Sequence, residues 1–194
     1  MKHTATLALL LASLLATGTA QADARADLKE AFLKFMKVKT FRATITNLDT
    51  NTEVSKLEFV FPDRYSVTLS NAPGRQVIIG RTMHMTIEGH TFAVPLPPEV
   101  DPSQYRHPKA IEELQAGINV KQLENALVAG EPSLVYYFLT TVDGKAMETL
   151  TYVSKKTGLP IQVETTGGVE KGKFRYQIRY SQFNDPSIEI KVPN

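Results

Sequence analysis

The chain has 194 residues, 42% of them hydrophobic and 22% charged, with a formal net charge of +2. This composition excludes a disordered or fibrous chain, and near-neutrality without any Lys/Arg block excludes the clustered basic surface of a nucleic-acid binder. Cysteine is absent, which removes disulfides, thiolate metal sites, thiol catalysis and the N-terminal Cys of lipid-anchored bacterial lipoproteins.

Lys2 and His3 open the chain, Thr4 to Ala16 is apolar, and Ala20-Gln21-Ala22 sets small residues where a signal peptidase reads them. Residues 1-22 are therefore expected to be a cleavable signal peptide, and residues 23-194 a single mature domain. The apolar run is well short of the roughly 20 residues that a spanning helix needs. The product is expected to be exported to the periplasm as a soluble protein that does not span the membrane.

From Ala24 to Lys37 the residues Leu28, Phe32, Leu33, Phe35 and Met36 recur at helical spacing, so the mature chain is expected to open with an amphipathic helix. Lys29, Lys34 and Lys37 give it a basic side, either a solvated face or a contact for anionic headgroups. The period then changes to two. Phe41 to Leu48 and Glu53 to Phe61 read as a hairpin about Asp49-Thr50-Asn51-Thr52. Further strands follow at Tyr65 to Leu69, Gln76 to Ile79, Thr82 to Ile87 and Thr91 to Val94. The proline-dense stretch from Pro95 to His107 is a loop. Ala110 to Leu114 and Val120 to Val128 carry helical patterning, with Asn119 as N-cap and Gly130 as stop. Strands resume at Ser133 to Val142, Ala146 to Ser154, Pro160 to Thr166, Lys173 to Phe183 and Ile188 to Val192, with turns at Asp143-Gly144, Thr157-Gly158 and Gly167-Gly168.

About ten strands in sequential hairpins with a helix at each break define a mainly β (α+β) fold. The expected form is an unclosed antiparallel β-barrel, a half barrel, with the N-terminal helix and a short helical lid on its concave side. Four motifs sharpen this: the helix running into Phe41-Arg42-Ala43; Phe59-Val60-Phe61-Pro62-Asp63-Arg64-Tyr65; Lys156-Thr157-Gly158-Leu159-Pro160; and Tyr180-Ser181-Gln182-Phe183-Asn184-Asp185-Pro186 with Ile190-Lys191-Val192-Pro193. In their combination and order the mature chain resembles the periplasmic lipoprotein-carrier superfamily: the LolA and LolB localisation proteins and the mycobacterial LppX-type lipid carriers. The resemblance implies a hydrophobic cavity between sheet and lid that carries acyl chains of a lipid or lipoprotein, and implies a membrane-bound donor or acceptor protein as a partner. The LolA-type pattern sets an Arg directly before the Pro of the edge turn. Here Phe61 stands there, with Arg64 two residues after Pro62, which points to a relative of different cargo.

On parity, Phe59, Phe61, Tyr65 and Val67, then Val77 and Ile79, Met83 and Met85, and Tyr136 and Phe138 are expected to face the concavity. Ile111, Leu114, Leu123 and Leu127 would form the lid. The competing reading makes the same residues plain core. No Gly-x-Ser-x-Gly elbow, phosphate loop or His-Glu-x-x-His motif is present, so neither a catalytic residue nor a cofactor is expected. Met83-His84-Met85 offers soft ligands, but on a strand His84 points away from both thioethers, and no metal is expected. The leading functional reading is a carrier or binding protein for a lipid, lipoprotein or other amphiphile. The alternative is a signalling or assembly module that uses the fold as a protein interaction surface.

Overall fold

The computed structural model describes residues 16-72, 74-87, 89-100, 111-112, 114, 116-142, 145-169 and 172-193. The elements in order are helix α1 (Ala16–Met36), then strands β1 (Thr40–Asn47), β2 (Thr52–Val60), β3 (Arg64–Leu69), β4 (Arg75–Ile79), β5 (Thr82–Ile87), β6 (His90–Pro95), β7 (Val120–Val128), β8 (Glu131–Val142), β9 (Lys145–Ser154), β10 (Pro160–Val169) and β11 (Gly172–Ser181). All eleven strands form one antiparallel sheet in the order β6-β5-β4-β3-β2-β1-β11-β10-β9-β8-β7. Two meanders, β1 to β6 and β7 to β11, are thus joined by the β1·β11 ladder, and β6 and β7 remain as unpaired edges. The sheet does not close, and the chain is mainly β with one N-terminal helix.

The helix forms because its part from Ala24 onward is rich in Ala, Leu and Lys, with Glu30 and Lys34 one turn apart and 3.0 Å from each other. Its buried stripe is Ala24, Leu28, Ala31, Phe32 and Phe35, continued by Val38. Leu33, expected on that stripe, is on the exposed side. The stripe covers two core clusters. Phe32 and Leu28 meet Val120, Tyr136, Phe138 and Val153; Phe35 and Val38 meet Phe41, Phe59, Tyr65, Val163 and Tyr180. An aromatic chain runs through the second cluster: Phe35–Phe41 and Phe59–Tyr65 at 5.1 Å between centroids, and Phe35–Tyr180 and Phe41–Phe59 at 5.0 Å. Burying such rings stabilises by roughly 1.5–3 kcal/mol each.

Four expectations require correction. Val120 to Val128 is strand β7, not a helix. Its apolar spacing fits a helical stripe, but the backbone pairs with β8 through a bulge between Leu123 and Ala126, and pairing at a sheet edge overrides a weak local preference. Gly130, read as a helix stop, follows Ala129 in the turn joining β7 to β8, both at positive φ (51° and 85°), the backbone a two-residue hairpin demands. Gly167-Gly168, read as a turn, lies inside β10. Finally, Ile188 to Val192 is not a strand but an irregular segment. The Asp143-Gly144 turn lies outside the described residues, as does most of the proline-dense stretch.

Arg64 anchors that closing segment: its Nη1 donates to the Ile190 carbonyl at 2.9 Å, and Ile188 and Ile190 are buried. The Asn184-Asp185 pair clamps the entry to β1, where Lys39 N donates to Asn184 Oδ1 (2.8 Å) and Thr40 Oγ1 to the Asp185 carbonyl (2.9 Å). Two backbone donors of the Lys156-Thr157 turn bond Ser154 Oγ, whose hydroxyl is donated to Glu131.

Gly167 sits beneath the Phe174 ring, and a Cβ there would overlap it, whereas a Cβ at Gly168 meets nothing. Gly167→Val is therefore expected to destabilise by about 1–3 kcal/mol, read as a Tm lowered by several degrees, while Gly168→Val changes Tm little.

Candidate functional site

Cross-strand partners share a face, so the ladder registers divide the sheet into the face under α1 and its opposite. The inner register holds Phe41, Ala43 and Ile45 of β1; Phe59 and Leu57 of β2; Tyr65 and Val67 of β3; and Ile178 and Tyr180 of β11. It continues through Val163 and Thr165 of β10, Thr151 and Thr149 of β9, and Tyr136 and Phe138 of β8. In the other direction it passes through Ile78, Met83 and Val94, and through Gln76, Met85 and Phe92. Across β1 to β4, β10 and β11, every Asp, Glu, Lys and Arg falls on the outer register.

The outer charges pair among themselves. Arg42 Nε donates to Glu58 Oε1 and Arg75 Nη2 to Glu58 Oε2, each at 2.8 Å. Arg75 also bonds Ser66, and Arg42 bonds Gln182. Farther along, Arg179 Nη2 donates to Gln162 Oε1 at 2.9 Å and Gln162 Nε2 to Glu164 Oε1 at 2.8 Å. Tyr152 joins this row through Glu164, and its phenol is raised by burial and then by that carboxylate. The outer groove of about 430 Å³ among Arg42, Lys56, Glu58 and Arg75 is thus occupied by matched charges. Among the described residues no cluster of three His, Cys, Asp or Glu side chains could hold a metal ion.

Burial on the inner face falls from one end of the barrel to the other. At the α1 end Phe41, Phe59, Tyr65, Tyr180, Val163 and Tyr136 are buried; toward the hairpins at the far end Ile45, Leu69, Met85, Met147, Tyr176 and Ile178 are half-buried, and Phe92 is 50% exposed. This uncovered half, with Lys145 on the inner register only at its far rim, is the candidate site, a surface suited to apolar chains.

The sequence-derived cavity residues divide over this map. Phe59, Tyr65, Val67, Tyr136 and Phe138 lie on the inner face but under α1, in the core. Met83 packs at the margin of the core and Met85 lies in the uncovered half. Val77 and Ile79 are corrected: they pair with Ser66 and Arg64 and so face outward, and Ile78 points in. Either alternation fits the run Val77-Ile78-Ile79, so parity alone cannot choose the face. Phe61 is also corrected. It lies in the turn after β2, 56% exposed, beyond the ladder. Of the lid residues, Ile111 and Leu114 sit on helical residues packed against Phe32 and Tyr136. Leu123 and Leu127 are strand residues instead, 43% and 73% exposed. Ile45, Phe92, Met147, Tyr176 and Ile178 were missed; continuing the parity of Phe41 and Tyr180 along their strands reaches three of them.

An open antiparallel half barrel with a helix laid on its apolar inner face is a fold that the chain shares with solved mycobacterial proteins. The chain is similar to the Mycobacterium tuberculosis lipoprotein LppX, with a TM-score of 0.67 at 9% identity over 88% of this chain and 99% of that one. It is similar also to LprF from Mycobacterium bovis, with a TM-score of 0.64 at 10% identity over 90% and 98% of the two chains. No protein-family profile and no curated protein sequence matches the chain. Identity at this level speaks to the fold alone.

Two inner-face phenols report the apolar interior. Burial pushes Tyr136 up to about 12, helped by the nearby Asp27 charge, and burial alone raises Tyr180 further. Both stay neutral in the folded state at pH values where the unfolded chain ionises. Their contribution to stability is therefore expected to be constant below about pH 10 and to be lost progressively as the pH rises toward 12. Alkaline titration of tyrosine absorbance should show these phenols ionising last, together with loss of fold.

Proposed function

We propose that the chain is an exported periplasmic carrier or binding protein whose ligand, a lipid, lipoprotein or other amphiphile, lies with its acyl chain on the uncovered half of the inner face. What supports this reading is the segregation of charge. A sheet whose charged side chains face outward across β1 to β4, β10 and β11, while Met85, Phe92 and Met147 on the far half of its inner face stay part-exposed, leaves wet a surface that folding alone would cover. Burial of acyl methylenes there at about 0.8 kcal/mol each is ample for useful affinity. The LppX-like fold and the motif resemblance favour the same reading, and the leader expected at residues 1-22 fits it. No helix among the described residues is long and apolar enough to cross a membrane. The proposal involves no catalysis, and a membrane-bound donor or acceptor protein is the natural exchange partner.

The test uses delipidated mature protein and a fluorescent long-chain fatty-acid probe. Met85→Glu, which sets a charge on the uncovered inner face, is expected to weaken binding at least about tenfold. His84→Glu, one residue away on the outer face, should leave it unchanged. Equal effects of the two variants, or no saturable uptake by the parent protein, would refute the reading. When the chain is expressed with its leader in a bacterial host, intact mass of the periplasmic product should correspond to a protein starting at Asp23.

A further inference from the structure

Thr151 Oγ1 is a buried side-chain oxygen without a hydrogen-bond partner among the described residues, on a residue that is 0% exposed. A hydroxyl in that condition destabilises a fold. Nothing in the strand asks for it, since Val has the same branched shape and an equal liking for a sheet. Its cross-strand neighbours are Tyr136 and Val163, and these belong to different core clusters. Thr151 thus lies on the line where the two contact zones of α1 divide.

Two further hydroxyls continue from it. Thr149 is the next inner-face residue of β9, about 7 Å farther toward the open end, and it pairs with Thr165 of β10. Thr149 is nearly buried and Thr165 half-buried. The three mark a polar line running from beneath the helix into the uncovered half. Among the described residues the inner register here is completed by Met147, Phe138, Tyr176 and Ile178, with Lys145 two inner positions beyond Thr149. A carboxylate brought beside Thr151 would meet the negative charge of Asp27, which lies near Tyr136. A neutral acceptor oxygen would find donors.

We infer that Thr151, with Thr149 and Thr165, forms a hydrogen-bonding subsite that receives the carbonyl oxygen of an uncharged acyl ester in preference to a free carboxylate. The inference rests on the ligand-binding reading above and specifies the chemistry of the group admitted. It also accounts for a buried hydroxyl that the folded chain leaves unsatisfied until ligand arrives.

The test compares a pyrene-labelled fatty acid with its methyl ester at about pH 8, where the acid is ionised, on mature protein and two variants. The ester is expected to bind more tightly than the acid. Thr151→Val should raise Tm by about 2 °C or more and weaken the ester about fivefold, with the acid unaffected. Thr151→Ser, which keeps the hydroxyl, should retain ester affinity. Ester affinity unchanged in Thr151→Val, or weakened equally in Thr151→Ser, would overturn the subsite while leaving the carrier reading intact. Failure of both probes to bind the parent protein would overturn both.

Discussion

The ladder between β1 and β11 is the constraint on which the remaining architecture depends. Six residue pairs, from Arg42 opposite Ser181 to Asn47 opposite Tyr176, join the first and last strands at the middle of the sheet and convert two meanders into one surface. Their register also sets which face is which. With Ala43 opposite Tyr180 and Ile45 opposite Ile178, the apolar alternation of the first meander is in phase with that of the second. A slip of one residue would turn one half of the inner face outward and present Arg42 or Arg179, whichever half turned, to the helix. The clamp formed by Asn184 and Asp185 on Lys39 and Thr40 lies at one end of this ladder and holds it in place.

The helix follows from that surface. An antiparallel sheet this wide needs something on its apolar face, and α1 supplies Leu28, Phe32 and Phe35 to about half of it. The motifs that carry the resemblance turn out to be structural in this chain. The Tyr180 to Pro186 segment clamps β1, and the Lys156 to Pro160 turn is bonded to Ser154 and lies against Lys34 of the helix, whose amine is 2.9 Å from where a Cβ of Gly158 would stand. Arg64 holds the closing segment on the outer face. These contacts specify the scaffold and are silent about what it carries.

Function, on this account, sits in what the scaffold leaves undone. Folding normally removes apolar side chains from water and pairs buried hydroxyls. Here the far inner face keeps Met85, Phe92, Met147 and Tyr176 part-exposed, and Thr151 is buried without a partner. Both departures occur on the same face, and a single occupant with an apolar chain and a neutral oxygen would relieve them together.

Much of this was decided by the residues alone. Period-two alternation located ten of the eleven strands, because a strand with one face in the core repeats apolar residues every second position whatever its partners. The helical stripe of Leu28, Phe32 and Phe35 was legible for the equivalent reason. What needed the tertiary structure was everything depending on partnership. Val120 to Val128 reads as a helix until β8 offers it a ladder, and Gly167 reads as a turn until Phe174 is seen to lie across it. Val77 and Ile79 could be set on either face, since a continuous apolar run has no phase of its own; only the pairing of Tyr65 with Ile78 chose it. Pattern in a sequence reports what each residue avoids, but which face it is turned to is a property of strands several dozen residues away.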